Sequence, residues 1–338
     1  MAVTQATDRK NGRTVMKHPV VLIADPLSPA AVDALGEDVE IRHVDGTDRT
    51  ALLAAVRDAD ALLVRSGTRA DAEVIDAAPR LKVIGRAGVG LDNVDVAAAT
   101  RAGVLVANTP TANIVSAAEM TCALLLAAAR NVPQAGHALK QGSWERSRFT
   151  GVELAGKVLG IVGLGRIGVL VAERMTAFGM KVIAYDPYVV GDRATELGIE
   201  MTGLDDLLTR ADFVTVHLPR TPETIGLIGA DALRKAKPTA YFVNVARGGI
   251  IDEAALADAL RAGDIAGAAL DVFETEPPSG SPLLTLDNVV VTPHLGASTY
   301  EAQEKAGTQV AESVALALKG APVPNAVNAP SPYAESMA

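Results

Sequence analysis

The chain has 338 residues, 49% of them hydrophobic but only 3% aromatic, and a formal net charge of −9. That length exceeds one typical core and calls for two domains, with interiors built from Ala, Val, Leu and Ile. The negative balance excludes general nucleic-acid binding and means that an anionic substrate must be met by local arginines; the single cysteine, Cys122, excludes an intramolecular disulfide and points to a reducing, cytoplasmic setting.

Residues 1–17 are polar and lack the apolar core of a secretory signal, so they read as a flexible arm. Strand-like runs follow at Pro19 to Ala24, Val39 to His43, Ala61 to Val64, Leu81 to Ile84 and Val104 to Ala107. Helical patterns such as Pro29 to Leu35 and Thr50 to Asp58 lie between them. This alternation predicts a parallel sheet covered by helices. A long helical run, Ile114 to Ala129, comes next; it is too short for a membrane span, and a buried helix holding Cys122 is the expectation. Gln141 to Thr150, with the only tryptophan, Trp144, reads as a loop.

A second series of strands is predicted at Val158 to Val162, Lys181 to Tyr185, Phe213 to His217, Ala240 to Val245, Ala266 to Val272 and Val289 to Thr292. Six strands fit two mononucleotide-binding halves. A helix over Thr299 to Lys319 follows, then Pro322, Pro324 and a segment ending at Asn328; residues 329–338 read as frayed. The second series sits mid-chain, and the tail after Leu295 is expected to return to the first domain, giving two hinged lobes with the substrate between them.

The second series opens on Gly163-Leu164-Gly165-Arg166-Ile167-Gly168, directly after a strand and before a helix. Gly163 permits a sharp turn, Gly165 lets the backbone approach a pyrophosphate, and Gly168 lets the helix pack on the strand. The helix start near Arg166 offers free N–H groups and a positive dipole end. Asp186 follows Gly168 by 18 residues and ends the next strand, where a carboxylate accepts from an adenosine ribose and repels a 2′-phosphate. The expected cofactor is therefore NAD rather than NADP, and no metal is expected.

Three polar residues stand just past predicted strands: Arg247, Glu276 and His294. Carboxyl ends of strands are where open α/β sheets bind ligands. Their chemistry suits oxidation of a 2-hydroxy acid. An imidazole takes the hydroxyl proton near neutral pH, a carboxylate fixes its tautomer, and a guanidinium clamps the substrate carboxylate. Sequence physics alone leaves Glu274 and Glu276 in competition. His217 also ends a strand and reads as lining the cofactor side.

Gly85 to Asp95, Gly163 to Gly168, Asn244 to Gly249 and Thr292 to Thr299 resemble the D-isomer-specific 2-hydroxyacid dehydrogenases, and the likeness runs from about Val20 to Asn328. It implies a Rossmann-type dinucleotide-binding domain over 113–295, inserted in a flavodoxin-like substrate-binding domain made of 18–112 and 296–328. It implies a triad of Arg247, Glu276 and His294, choosing Glu276 over Glu274. Cofactor contacts are implied for Ile167, His217, Leu218, Pro219, Val245, Ala246, Asp271 and Gly296, with Asp271 near the nicotinamide. Arg65, Ser66, Arg86, Gly88, Val89, Gly90 and Asn113 are implied on the substrate side, with Arg65 and Arg86 as phosphate candidates. Arg146 and Arg148 add charge near Trp144, in trans if the chain is a homodimer or larger oligomer, as family members commonly are.

The implied reaction is NAD-dependent oxidation of the phosphorylated substrate D-3-phosphoglycerate. A glyoxylate or hydroxypyruvate reductase is the near alternative, and an NAD(H)-sensing corepressor the remote one. Related enzymes often carry C-terminal domains that sense serine; this sequence stops soon after Asn328, so no serine feedback is expected.

Overall fold

In the computed structural model, residues 18–188, 194 and 197–328 are described. The expected arm at 1–17 and frayed end at 329–338 lie outside them. The fold is α/β, and the chain divides into two compact units, residues 1–113 with 299–338, and 114–298.

The first unit holds a parallel sheet of β1 (Val20–Ile23), β2 (Glu40–His43), β3 (Ala61–Val64), β4 (Val83–Arg86) and β5 (Leu105–Ala107), in the order β2-β1-β3-β4-β5. This is the flavodoxin-like order. Side chains alternate across the pleat, so one strand feeds two cores. Val21, Ile23, Leu63 and Leu105 pack on one face with Val310 and Val314 of helix Tyr300–Leu318. Leu22, Leu62, Ile84 and Val106 pack on the other with Leu52 and Val74. Each such side chain, fully buried, contributes about 1.5–3 kcal/mol. Aspartates cap three of the short helices: Asp48, Asp71 and Asp95 accept from Ala51, Val74 and Ala98 N–H.

The last described residues lie along β5. Ala326 bridges Ala107 in antiparallel fashion, and Val327 N–H donates to the Val106 carbonyl at 2.9 Å. The Asn328 amide accepts from Val106 N–H at 2.7 Å and donates to the Val104 carbonyl at 3.1 Å.

The second unit holds β6 (Val158–Val162), β7 (Lys181–Tyr185), β8 (Glu200–Met201), β9 (Phe213–Val216), β10 (Tyr241–Asn244), β11 (Gly267–Leu270) and β12 (Val289–Val291). All pair in parallel, in the order β12-β11-β10-β9-β6-β7-β8. Counted from β6 this is the Rossmann order, with β12 as one further strand. Six strands are expected from the sequence in this region; the seventh, β8, has two residues and is too short to show a period. One face packs on helices Ile114–Arg130 and Arg166–Ala177 through Leu125, Val171 and Met175. The other packs on Leu207, Leu208, Leu256 and Leu260.

Cys122 is buried on the first of those faces, where burial pushes its thiol up to about 11. Helix Val132–Lys140, which the sequence reading does not identify, buries none of its residues. Among the described residues no single helix is long and apolar enough to cross a membrane.

Candidate active site

The glycine turn leaves β6 with Gly163 at φ 105°, a conformation open to glycine at little cost. A Cβ there would stand 2.8 Å from the His217 carbonyl carbon. The turn thus packs directly on the chain leaving β9. Gly168 is equally constrained, because a Cβ would stand 2.3 Å from the Gly163 carbonyl oxygen.

Gly165 differs. Its φ is −77°, and a Cβ would meet nothing within 4 Å. Among the described residues nothing requires glycine there, and the bare backbone leaves room for a ligand to lie on it. Gly165 is also the N-cap of the twelve-residue helix Arg166–Ala177, and no side chain caps its N–H groups. An uncapped helix start beside open backbone fits a pyrophosphate. Asp186 ends β7 against the same turn: its Oδ2 accepts from Leu164 N–H at 2.7 Å and its Oδ1 from Tyr188 N–H at 2.8 Å. Its carboxylate is thereby fixed beside the turn. These residues fit a dinucleotide.

His217 follows β9. Burial of its ring holds the imidazole well below the usual range, at about 4, so it is neutral near pH 7 although the residue keeps some exposed surface. Thr215 Oγ1 lies 3.1 Å from its Nε2. Leu218 is buried and Pro219 exposed; the Pro219 carbonyl accepts from Thr224 Oγ1 at 2.7 Å.

Past β10, β11 and β12 stand Arg247, Glu276 and His294. Glu276 Oε2 lies 2.7 Å from His294 Nδ1, and Glu276 Oε1 accepts from Phe273 N–H at 3.1 Å. Burial raises the Glu276 carboxyl, but the bonds from His294 and Phe273 and the charges of His294 and Arg247 outweigh it and hold Glu276 below its ordinary value. It is therefore ionised near neutrality and only accepts, which places the shared proton on Nδ1 and the lone pair of a neutral ring on Nε2. The side chains are 46% exposed for His294 and 36% for Glu276, so a substrate can reach the pair. Glu274 is not the partner; its N–H donates to Glu253 Oε1 instead.

His294 has φ 55°, a left-handed backbone costing about 1–2 kcal/mol for a residue with a Cβ. Asp271, fully buried, holds that turn. Its Oδ1 accepts from Thr292 Oγ1 at 2.6 Å and Leu295 N–H at 2.7 Å, its Oδ2 accepts from Gly296 N–H at 2.7 Å, and its carbonyl accepts from His294 N–H at 2.8 Å. Gly296 approaches both Asp271 and Val245; a Cβ there would stand 2.9 Å from Val245 Cγ1. Asn244, buried at the end of β10, does the same for the arginine loop. Its amide accepts from Ala246 N–H at 3.0 Å and donates to the Arg247 carbonyl at 2.9 Å. Arg247 is half-buried and donates to the Ala246 carbonyl at 2.7 Å. The sequence reading misses Asn244 and Thr292 as supports. A polar residue closing an apolar strand was the available signal for both.

In the first unit, Arg65 and Ser66 open the loop after β3. Asp25 Oδ2 accepts from Arg65 and Thr68 N–H at 2.6 and 3.2 Å, and Asn93 Nδ2 donates to the Arg65 and Thr68 carbonyls, each at 2.6 Å. The loop is gripped by its backbone, and the Arg65 side chain donates a long 3.4 Å bond to the Pro26 carbonyl. Arg86 ends β4 with its guanidinium against Gly88, where a Cβ would stand 1.6 Å from Nη1. The Val89 carbonyl accepts from Asn108 Nδ2 at 2.7 Å, while Gly90 and Asn113 are half-buried. Among the described residues no group of His, Cys, Asp and Glu is arranged to hold a metal.

Fold and site together define a dinucleotide-binding α/β protein with an imidazole–carboxylate pair at its strand ends. Residues 122–296 match the family model described as D-isomer specific 2-hydroxyacid dehydrogenase, NAD binding domain, and the chain belongs to that family. It is 64% identical over 313 residues to D-3-phosphoglycerate dehydrogenase of Mycobacterium tuberculosis, covering 93% of this chain and 59% of that protein. The chain thus spans about three fifths of the length of the curated relative it matches. A Thermus thermophilus protein of solved structure is 38% identical with a TM-score of 0.84, covering 91% of this chain and 100% of that one. A glyoxylate reductase of Paecilomyes thermophila is 31% identical with a TM-score of 0.83, covering 92% and 99%.

Proposed function

We propose that the chain oxidises D-3-phosphoglycerate to 3-phosphohydroxypyruvate, the entry step of serine synthesis, with NAD as acceptor. The observation that carries this reading is the 2.7 Å contact between His294 Nδ1 and Glu276 Oε2. The 64% identity to relatives named D-3-phosphoglycerate dehydrogenase supports the choice of substrate.

Bound NAD supplies the hydride acceptor. His294 Nε2 takes the proton of the C2 hydroxyl, and Glu276 stabilises the imidazolium that forms. Arg247 clamps the substrate carboxylate and polarises the C2 oxygen. Asp271 and Asn244 hold the two loops, so that base and clamp need not reorganise during turnover. Arg65 and Ser66, at the start of the loop after β3, are assigned to the phosphate. Asp186 selects NAD, because its charge repels a 2′-phosphate.

Comparing kcat/KM for 3-phosphohydroxypyruvate and hydroxypyruvate with NADH, followed at the nicotinamide absorbance, tests the proposal. A clear preference for the phosphorylated compound is expected. Equal use of the two sinks it and favours the second reading, a glyoxylate or hydroxypyruvate reductase, which the likeness to the Paecilomyes enzyme supports. Tighter binding of NADPH than NADH removes the role given to Asp186.

A further inference from the structure

The loop that carries Glu276 is held by a residue outside the triad. The peptide joining Phe273 to Glu274 is gripped from two sides. Its carbonyl lies against Gly248, where a Cβ would stand 1.8 Å from the Phe273 oxygen and 2.5 Å from the Glu274 nitrogen. Only glycine lets the Arg247 loop approach this peptide so closely. Its N–H, that of Glu274, donates to Glu253 Oε1. One residue back, Phe273 N–H donates to Glu276 Oε1, and Glu276 Oε2 meets His294. A short chain of contacts therefore runs from Glu253 through the two peptide groups that flank the Phe273 Cα, and then through the Glu276 carboxylate, to the imidazole.

Glu253 is well placed to act as an anchor. It is the first residue of helix Glu253–Ala262, whose N-cap, Asp252, accepts from Ala255 N–H at 2.9 Å. Leu256, Ala257, Ala259 and Leu260 bury that helix in the core, so the carboxylate is tied to a rigid element. The Glu253 side chain is also in an unfavourable setting for a charge. Burial raises its carboxyl above the ordinary range, the Glu274 N–H bond opposes this, and the charges of Glu274, Glu276 and Asp252 push it further up. Like charges at this range disfavour folding, so the carboxylate's contribution lies in geometry rather than in charge balance.

We propose that Glu253 is a positioning residue: it fixes the Phe273–Glu276 loop so that the Glu276 carboxylate meets His294. It acts through that pair and does not touch the substrate. The inference rests on the dehydrogenase reading above.

In the full chain, Glu253→Ala is expected to lower kcat by on the order of ten- to a hundredfold, the effect of a misplaced reacting group, while KM for the substrate and NADH affinity stay near wild type. Glu253→Gln keeps an amide oxygen for the Glu274 N–H and is expected to restore most of the turnover. Wild-type kcat in Glu253→Ala, a loss confined to KM, or a Glu253→Gln enzyme as slow as the alanine variant each overturns the proposal. If Glu253→Ala does not fold, as judged by Tm and NADH binding, the glutamine variant alone decides: kcat near wild type supports the proposal, and kcat lowered on the order of ten- to a hundredfold overturns it. A His294→Ala chain that turns over at the wild-type rate instead removes the dehydrogenase reading, so the two failures are separable.

Discussion

The two sheets share one design at one end and diverge at the other. The strands β1, β2, β3, β4, β5 of the first unit have their counterparts in β6, β7, β9, β10, β11 of the second, with the same neighbour relations. At the amino ends the match extends to atoms. Asp60 precedes β3, donates its N–H to the Val20 carbonyl at 2.8 Å, and accepts from Val20 N–H at 2.9 Å. Asp212 precedes β9 and does the same with Val158 at 2.9 and 2.8 Å. Each carboxylate also meets a cation, Arg80 at 2.6 Å in one case and Lys237 at 3.0 Å in the other.

At the carboxyl ends the likeness stops. The first strand of the first unit runs into Asp25, whose carboxylate is spent on the Arg65 loop. The first strand of the second runs into a glycine turn and an uncapped helix start. The scaffold recurs, while the chemistry is set by the few residues that leave each strand.

That contrast can be broken or sharpened by experiment. The largest effect is expected at the second unit's strand ends. His294→Ala should lower kcat by on the order of a hundredfold or more, with NADH still bound, as fluorescence titration can check. At the first unit's strand ends, Arg65→Ala should chiefly raise KM for the phosphorylated substrate, by on the order of tenfold, since a lost phosphate contact removes binding in ground and transition states alike. A kcat loss in Arg65→Ala equal to that of His294→Ala would erase the division of labour.

The glycine turn offers a finer test. Gly163→Ala must meet the His217 backbone at a positive φ and should lose about 1–3 kcal/mol in denaturant unfolding. Gly165→Ala meets no protein atom and should keep its stability but bind NAD on the order of tenfold more weakly, about 1.4 kcal/mol.

The smallest effect belongs to the shared amino ends. Burial raises the Asp212 carboxyl, but the Val158 N–H and the charges of Lys237 and Lys157 outweigh it, so its folded pKa lies below the ordinary 3.8. The stability it contributes is then fully present above that value and is lost as pH falls through the folded pKa. Asp212→Asn should cost on the order of 1 kcal/mol near neutrality, and its stability should approach that of wild type as pH falls into this range.

Much of this was legible in the residues because parallel strands buried on both faces read as short apolar runs. Ala61–Val64, Val158–Val162 and Lys181–Tyr185 have the bounds the pattern predicts. Helix Val132–Lys140 was not legible, since Pro133 and Gly136 make it look like a loop, and its apolar residues Val132 and Leu139 stay exposed rather than packing on a core. The bare residue pattern could not separate Glu274 from Glu276. What separates them is a backbone event, the return of the Glu276 side chain to Phe273 N–H while Glu274 N–H turns to Glu253, a residue more than twenty positions earlier. Long-range anchoring of this kind leaves no local period.

The segment over Ala326–Asn328 carries one more consequence. A strand at the rim of a sheet presents unpaired amides that recruit a strand from another molecule. Here Val327 and the Asn328 amide occupy those positions on β5, with a side chain standing in for the next residue of backbone. Proteolytic clipping just before Ala326 should therefore turn a monodisperse preparation turbid long before any catalytic group is disturbed, and light scattering after limited digestion would record it.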